Sequence, residues 1–341
     1  AGNQVWHQNS PGVADAPEAN DSLGQALSIG DWNRDGRADL AIGVPSEDLG
    51  AVRDAGVVHI LFGSPTGLTA IDSQLWSQDS PGVEDAAEAD DHFGAALASG
   101  DMNGDTYPDL AIGVPDETVG GLQSAGAVQM LFGSSAGLTA VGSQFWHQDA
   151  IGAPDKSQAR DQFGRALACG DLNGDGYADL AVGLSGQNLW GGAFAGAVVV
   201  LHGSSAGLTV AGNQFWSQES PGIAGNSSGD ESFGRVLAAG DLNGDGYADL
   251  AVGAPGDKRG DWLYAGSINV FYGSAAGLTA QGAQYWTQGN SGLMDVAEEG
   301  DNLSTALAIS DFDRDGRGDL AASAPYEDLE RYGGFVPLLR R

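Results

Sequence analysis

One sequence unit of constant length repeats five times along this chain, and its period limits the folds that the chain can adopt. The segment Asp-x-Asn/Asp-x-Asp begins at one constant interval, at Asp31, Asp101, Asp171, Asp241 and Asp311. Tryptophan recurs in the same register, each time with glutamine two residues later, at Trp6, Trp76, Trp146, Trp216 and Trp286. Such regularity without insertions indicates a tandem array in which one structural unit is used five times.

The hydrophobic pattern within one unit predicts four short strands and no long helix. In the second unit we expect strand A over residues 93–99, strand B over 110–114, strand C over 127–132 and strand D over 143–148. Four strands in a unit of this length are typical of one β-propeller blade. A stacked solenoid is the weaker alternative, because solenoid units are usually shorter and need capping ends.

The phase of the repeat predicts how the ends of the chain meet. Residues 3–8 match strand D of the unit, whereas the chain stops within strand C, near residues 335–339. The last blade therefore lacks a strand D of its own, and the N-terminal strand would complete it and remove the open sheet edge. We predict an all-β fold: a five-bladed β-propeller with four antiparallel strands per blade, closed by its N-terminal strand, in a single domain over residues 1–341.

The charge of the chain limits its partners. Its 46 acidic residues against 14 basic ones give a formal net charge of −32, which would repel nucleic acid and anionic membrane surfaces. No stretch approaches the ~20 apolar residues of a membrane span, so we expect no membrane insertion. A hydrophobic content of 42% with eight tryptophans favours a folded chain over a disordered one.

Each unit also carries a nine-residue acidic loop between strands A and B, at residues 31–39, 101–109, 171–179, 241–249 and 311–319. Calcium takes six to eight oxygen ligands, and a glycine at position 6 lets such a loop turn sharply. Side chains at positions 1, 3, 5 and 9 and the backbone carbonyl at position 7 would supply the oxygens. The candidate ligands are Asp31, Asn33, Asp35, Arg37, Asp39, Asp101, Asn103, Asp105, Tyr107, Asp109, Asp171, Asn173, Asp175, Tyr177, Asp179, Asp241, Asn243, Asp245, Tyr247, Asp249, Asp311, Asp313, Asp315, Arg317 and Asp319.

The alternative for each loop is a solvated acidic turn without a metal. Five copies in register favour calcium, with about five ions and one ion per blade. An EF-hand is excluded because position 12, where that loop needs a glutamate, is apolar here, as at Ile42. The second loop departs once, since Thr106 replaces the glycine at position 6; we expect a backbone penalty of roughly 1 kcal/mol and weaker binding there.

These motifs together resemble FG-GAP repeats. The "FG" is found at Phe93-Gly94, Phe163-Gly164 and Phe233-Gly234, and the "GAP" at Gly253-Ala254-Pro255. The chain is similar to the propeller of integrin α subunits and to bacterial secreted proteins with this repeat. The resemblance implies calcium in the A–B loops on one face of the propeller and ligand contacts by the D–A and B–C loops on the other. Integrin propellers have seven blades, so the five units here are a departure, and no partner is carried over.

The B–C loops differ most between the units, and two of them contain aromatic residues. Trp190 and Phe194 lie in the third unit, and Trp262 and Tyr264 in the fourth. Aromatic side chains on loops of a rigid scaffold suit contacts with a sugar or a protein, so these four residues are candidate ligand-binding residues. The alternative is that their rings cover the backbone of their own loops.

The functional prediction follows from the calcium loops. We expect a monomeric, calcium-stabilised propeller that is secreted or at the cell surface, where calcium is abundant enough to fill weak sites. It would bind an unknown protein or carbohydrate as an adhesion or lectin-like module. The alternative is a scaffold or assembly module without a ligand of its own. The sequence has no nucleophile elbow and no Ser/His/Asp order, so we predict that the chain is not an enzyme.

Overall fold

The computed structural model describes residues 2–189, 194–225, 229–289, 296–326 and 338–339. The described part of the chain is all-β and holds nineteen antiparallel strands in five sheets. It contains no helix that would be long and apolar enough to cross a membrane. Contacts divide the chain into two compact units, residues 1–165 with 204–208, and residues 166–203 with 209–341.

The first compact unit contains two complete sheets. The first sheet has the order β1 (Ala26–Gly30), β2 (Asp39–Val44), β3 (Val57–Ser64) and β4 (Gly67–Trp76). The second sheet has the order β5 (Ala96–Gly100), β6 (Asp109–Val114), β7 (Ala127–Ser134) and β8 (Gly137–Trp146). Strands β2, β3, β6 and β7 are mostly apolar and almost wholly buried, because packing covers both sides of each sheet.

The second compact unit contains two further sheets of four strands and one of three described strands. The third sheet is β9 (Phe163–Gly170), which begins in the first unit, β10 (Asp179–Leu184), β11 (Ala197–His202) and β12 (Thr209–Trp216). The fourth is β13 (Val236–Gly240), β14 (Asp249–Ala254), β15 (Ser267–Tyr272) and β16 (Thr279–Trp286). The fifth is β17 (Leu307–Ser310), β18 (Asp319–Ala322) and β19 (Leu338–Leu339).

The predicted order of strands is confirmed, and the boundaries differ most in strand D. In the second sheet β8 begins six residues before the predicted start, because Thr139 already pairs with Phe132 across the turn from strand C. A register shift between Met130 and Phe132 absorbs the extra length, as a β-bulge does. The small side chains of the turn residues gave no alternating pattern from which this pairing could be predicted.

Close packing between neighbouring sheets explains the glycines of the repeat. A Cβ atom on Gly43 of β2 would overlap the carbonyl oxygen of Gly94, which lies in the next unit. A Cβ atom on Gly113 would likewise overlap the carbonyl oxygen of Gly164. In the second compact unit, a Cβ atom on Gly183 would overlap the carbonyl oxygen of Gly234. Backbone therefore meets backbone at these points, and any larger residue would force the sheets apart.

A glutamine on each of the strands β4, β8 and β12 links one repeat to the next. Gln74 accepts a hydrogen bond from the Leu138 amide at 3.0 Å and donates one to the Leu138 carbonyl oxygen at 3.0 Å. Gln144 makes the same pair with Leu208, and Gln214 with Leu278. A residue near the N-terminus takes part too, since Gln4 makes this pair with Leu68.

The N-terminal segment therefore stands against the first sheet where a strand D would stand. The structure nevertheless assigns no strand to residues 3–8. Closure of a ring by this segment and the single domain over residues 1–341 remain predictions.

The glutamine link can be tested by mutation. Gln74→Ala removes both hydrogen bonds to Leu138, together with a longer one to the Ala136 carbonyl oxygen, and leaves the Leu138 backbone groups without the glutamine partner. We therefore expect the free energy of unfolding to fall by about 1–3 kcal/mol. Chemical denaturation measures the change. Gln25→Ala, at an exposed glutamine, is the matched control and should be neutral. Equal stabilities of the two variants would contradict the proposed link.

Candidate metal centre

Each acidic loop lies where the sequence places it, between strands A and B of its sheet. Position 9 of every loop is the first residue of a strand B: Asp39, Asp109, Asp179, Asp249 and Asp319 begin β2, β6, β10, β14 and β18. Positions 1, 3 and 5 are exposed or half-buried, whereas position 9 is buried. The loops thus hold three accessible polar residues above one buried carboxylate.

Hydrogen bonds inside the first loop turn its acidic side chains inwards. The Asp35 amide donates to Asp31 Oδ1 at 2.9 Å and to Asn33 Oδ1 at 3.0 Å, and the Gly36 amide donates to Asp31 Oδ2 at 2.9 Å. The Arg37 amide donates to Asp35 Oδ1 at 2.9 Å. The other four loops share most of these bonds, so positions 1, 3 and 5 come together in every loop.

The fifth loop has the most carboxylates because all three of these positions are aspartate. Carboxylate oxygens of Asp311, Asp313 and Asp315 lie within 4.8 Å of one another. In the second, third and fourth loops the position 3 residue is asparagine, whose side-chain amide donates to the position 5 carboxylate at 2.9–3.1 Å. Oxygens at these spacings suit a hard divalent cation such as calcium.

The buried aspartate at position 9 joins the loop to strand C. Asp39 Oδ2 accepts the Trp32 amide at 3.0 Å and Oδ1 accepts the Gly63 amide at 2.8 Å. The second, third and fourth loops repeat both bonds. Burial, with some repulsion from Asp105 and Asp101, raises the pKa of Asp109 to about 7 although both of its oxygens accept hydrogen bonds. A cation beside such a carboxylate would favour its charged form.

The side chains at position 7 have surroundings of their own in the different loops. Arg37 forms an ion pair with Asp35 at 3.1 Å and is exposed. Tyr107 is half-buried and lies beneath the guanidinium of Arg34, which is 5.9 Å from the centre of its ring. Tyr177 and Tyr247 are also half-buried and Arg317 is exposed. The role of the position 7 carbonyl groups stays a prediction.

The backbone of the loops is left-handed at two positions, of which the sequence analysis found one. Thr106 at position 6 has φ +78°, close to the +85° of Gly36, so the threonine adopts the strained conformation that we expected. Position 4 is left-handed as well, with φ +55° at Arg34 and +74° at Gly174. Glycine at position 4 of the second, third and fourth loops was the signal that sequence reasoning missed.

His202 is a further residue that the sequence analysis left unassigned. Its Nδ1 atom lies 3.2 Å from Asp179 Oδ1 and 3.3 Å from Asn173 Nδ2, so it contacts two candidate ligands of the third loop. Its hydrogen bond with Asp179 raises the pKa of the imidazole. The equivalent residues Phe62, Phe132 and Tyr272 have no basic group. A basic side chain therefore contacts the third loop at a place where these repeats have phenylalanine or tyrosine.

The candidate ligand-binding aromatics are partly exposed, except Trp190, which lies outside the described residues. Trp262 and Tyr264 are 48% and 45% exposed, and Phe194 is 37% exposed. Phe194 and Tyr264 occupy equivalent positions with φ +56° and +57°. Their carbonyl oxygens accept the amides of Ser232 and Asn302, which hold this conformation. A bulky residue with positive φ is costly, and such strain tends to occur at functional sites.

A second set of carboxylates lies outside the A–B loops, and one of its positions is acidic in every repeat. In the second repeat it consists of Glu88 and Asp91, before β5, and Glu117, after β6. Asp91 and Glu117 are buried, and burial with repulsion from neighbouring carboxylates raises the pKa of Glu117 to about 8 and that of Asp91 to about 6. The signal in the sequence was an acidic residue at the same register position of each repeat, at Asp21, Asp91, Asp161, Glu231 and Asp301.

A comparison with models of protein families shows which family the chain belongs to. A model of the FG-GAP repeat matches it five times, at residues 23–61, 93–129, 163–201, 233–270 and 304–339. This chain belongs to the FG-GAP repeat family. Each FG-GAP match begins near strand A, contains the acidic loop and ends in or near strand C, so the family unit coincides with three strands of each sheet and the candidate metal loop.

Relatives with the FG-GAP repeat include integrin α subunits and an enzyme. Integrin alpha-PS2 of Drosophila melanogaster is 30% identical over 68% of this chain and 15% of its own length. Human integrin alpha-7 is 34% identical over 48% of this chain and 12% of its own length. Phosphatidylinositol-glycan-specific phospholipase D of Rattus norvegicus is 34% identical over 48% of this chain and 19% of its own length.

The FG-GAP chain thus spans less than a fifth of the length of the curated relatives that it matches. Among solved structures, the exotype rhamnogalacturonan lyase YesX aligns with 93% of this chain and 47% of its own at 15% identity and a TM-score of 0.44. That likeness is too weak to bear on function.

The strain at Thr106 gives a test of the loop geometry. Thr106→Gly should raise the free energy of unfolding by about 1 kcal/mol, since glycine adopts positive φ without a steric penalty. Gly176→Thr, the reciprocal change at the same position of the third loop, should lower it by a similar amount. Thermal and urea unfolding of both variants measure the changes. A stability loss in Thr106→Gly would contradict the assigned backbone conformation.

Proposed function

We propose that the five A–B loops bind calcium and that this FG-GAP domain is a calcium-stabilised module that binds a partner outside the cell. The convergence of positions 1, 3 and 5 in all five loops is the observation that carries the proposal. Without a cation the carboxylates of one loop repel one another across a few ångströms. Hydrogen bonds from loop amides offset only part of that repulsion.

Calcium would contribute a large part of the stability of the domain. A site with a dissociation constant of ~0.1 mM in ~1 mM calcium stabilises the folded state by roughly 1.4 kcal/mol, so five independent sites would contribute about 7 kcal/mol. That sum is comparable to the whole stability of an ordinary domain. Sites of this strength fill only where calcium is abundant, which supports an extracellular location. The integrin α relatives, which are cell-surface proteins, support it as well.

We further propose that the five sheets are the blades of one closed propeller. Two features of the first compact unit support this. Gln4 is held by Leu68 in the same way as Gln74 and Gln144 are held by the repeats that follow them. Leu27 and Ile29 on β1 are 58% and 69% exposed, whereas Leu97 at the equivalent position of β5 packs against the core. Such an apolar, uncovered inner strand fits the place where another sheet would close the ring.

The proposed partner site is the aromatic part of the B–C loops. Trp262 and Tyr264 with their neighbour Leu263 form a half-exposed apolar group on one loop, and Phe194 stands at the matching place one repeat earlier. Their exposure favours a ligand-binding role over rings that only cover their own backbone. Aromatic faces of this kind stack on sugar rings and anchor protein interfaces. A carbohydrate or a protein is therefore the expected ligand, and no enzyme activity is assigned.

The alternative is a scaffold module that binds nothing through these loops. The identity of two whole stretches, residues 171–183 and 241–253, supports it, because a repeated surface need not be specialised. The phospholipase relative leaves the absence of enzyme activity a prediction, since the match covers only 19% of that enzyme.

Removal of calcium tests the first proposal. A chelator should lower the melting temperature by more than about 10 °C, and excess calcium should restore it. The variant D311N/D313N/D315N should bind one ion fewer per chain and show a smaller shift. Differential scanning calorimetry and metal analysis measure both effects. A melting curve that is unchanged by the chelator would sink the proposal.

Mutation of the loop aromatics tests the partner site. The labelled domain is screened on a glycan array and in protein pull-downs in calcium-containing buffer. Trp262→Ala and Tyr264→Ala should each weaken any binding about tenfold or more, the effect of losing a central aromatic anchor. Val141→Ala, at an exposed residue of β8, should leave binding unchanged. Blank screens would instead favour the scaffold alternative.

A further inference from the structure

A tight hairpin turn lies in the B–C loop of the fourth repeat, between β14 and β15. We call it the Arg259 tip and define it as Arg259, Gly260, Asp261 and Trp262. The Arg259 and Trp262 amides each donate to the other residue's carbonyl oxygen at 3.0 Å, so Gly260 and Asp261 form the turn between them. Gly260 has φ +61°, which the first central residue of such a hairpin turn requires.

Hydrogen bonds on both flanks hold the Arg259 tip in place. The Gly266 amide donates to the Asp257 carbonyl oxygen at 3.0 Å and so joins the two ends of the loop. After the tip, the Tyr264 carbonyl oxygen accepts the Asn302 amide at 2.8 Å, which fixes the loop to the next repeat. A turn that is already fixed costs a partner little ordering entropy on binding.

The charged groups of the Arg259 tip face solvent without a partner of their own. All four residues of the tip are exposed, and a Cβ atom on Gly260 would meet no atom within 4 Å. Among the described residues, none forms an ion pair or a side-chain hydrogen bond with Arg259 or Asp261. The guanidinium and the carboxylate are therefore available to another molecule.

The first repeat forms the same turn with uncharged residues. Leu49 and Val52 exchange the two backbone hydrogen bonds, and Gly50 has φ +65° at the place of Gly260. The side chains of Leu49 and Val52 are half-buried, whereas Arg259 and Trp262 are exposed. The fold therefore does not need charged or aromatic residues at this turn, and those of the fourth repeat call for a different explanation.

The tripeptide Arg-Gly-Asp occurs twice in the chain, and the structure separates the two copies. In the copy at residues 317–319, Asp319 is 6% exposed, begins β18 and accepts the Phe312 amide at 3.0 Å. That carboxylate is committed to its own loop and cannot reach a partner. Of the two copies, the one at the Arg259 tip presents both of its charged side chains to solvent.

Two opposite charges beside an aromatic ring on a fixed turn suit a protein partner. A guanidinium pairs bidentately with a carboxylate, and an aspartate pairs with a metal ion or a basic group. Arginine and tryptophan are enriched among the residues that contribute most to protein interfaces. Polyanions such as sulfated polysaccharides fit less well, because Asp261 and the net charge of −32 would repel them.

We propose that the Arg259 tip is a recognition element for a protein receptor with an acidic pocket and a cationic centre. The pocket would take the Arg259 guanidinium, the cationic centre would take the Asp261 carboxylate, and Trp262 would pack against the rim between them. This inference rests on the proposed partner site in the B–C loops and names the chemistry of its partner.

Adhesion of human fibroblasts to wells coated with the full chain, in calcium-containing medium, tests the proposal. R259K and D261E keep each charge but change the geometry of the head group, so we expect each variant to hold about tenfold fewer cells than the wild type. R235K and E219D make matched conservative changes at exposed residues of the same compact unit and should keep wild-type adhesion. All four variants should keep the wild-type melting temperature, since the changed side chains are exposed.

The soluble hexapeptide Gly-Arg-Gly-Asp-Ser-Pro should compete with the coated wild type for cells, and the same peptide with glutamate in place of aspartate should not. Wild-type wells without cells, full adhesion to D261E, or no competition by the hexapeptide would overturn the proposal. If Trp262→Ala loses adhesion while D261E keeps it, the aromatic partner site stands and the charged recognition fails, so the two proposals are distinguishable. Stronger adhesion to D261N than to the wild type would point to a polyanionic ligand and would overturn the proposal as well.

Discussion

The buried aspartate at the start of each strand B is the group on which the rest of the structure depends. One of its oxygens accepts the amide of the second loop residue, and in four units the other accepts an amide at the end of strand C, as Gly63 and Gly133 show. A single carboxylate thereby fixes the acidic loop relative to three strands. The placement of the candidate ligands in each loop follows from it, because a loop anchored at its last residue folds back over that residue.

Buried carboxylates, including these aspartates, need positive charge nearby to stay ionised in the folded domain. Asp109 and Glu117 lie near opposite ends of the second sheet, and burial raises the pKa of both. A fold with a net charge of −32 gains little from its few cationic side chains, and most of its ion pairs are exposed and weak. Cations from solution are the compensation that such a composition favours. Metal binding and folding would then be one process in this protein.

Most of the architecture and of the A–B loops could be predicted from the sequence because both are local. Strand order follows from the alternation of apolar residues, and the loop geometry follows from positions 1 to 9 of one short segment, as at residues 101–109. The left-handed φ of Thr106 was predictable since glycine occupies its place in every other repeat. The longer β8 was not, because pairing across a turn of small residues leaves no hydrophobic pattern.

Features that join distant residues needed the tertiary structure. The contact of His202 with Asp179 and the meeting of Gln78, Asp91 and Glu117 depend on side chains that lie far apart in the sequence. The sequence shows that acidic residues recur at the same positions of the repeat. Recurrence alone does not indicate whether such a residue packs in the interior or binds a ligand. The sequence by itself determined the FG-GAP unit, the number of units and their acidic loops, because the residues of each unit and each loop are contiguous in the chain. Only the tertiary structure decided which side chains from different segments meet, because burial and backbone pairing select those contacts.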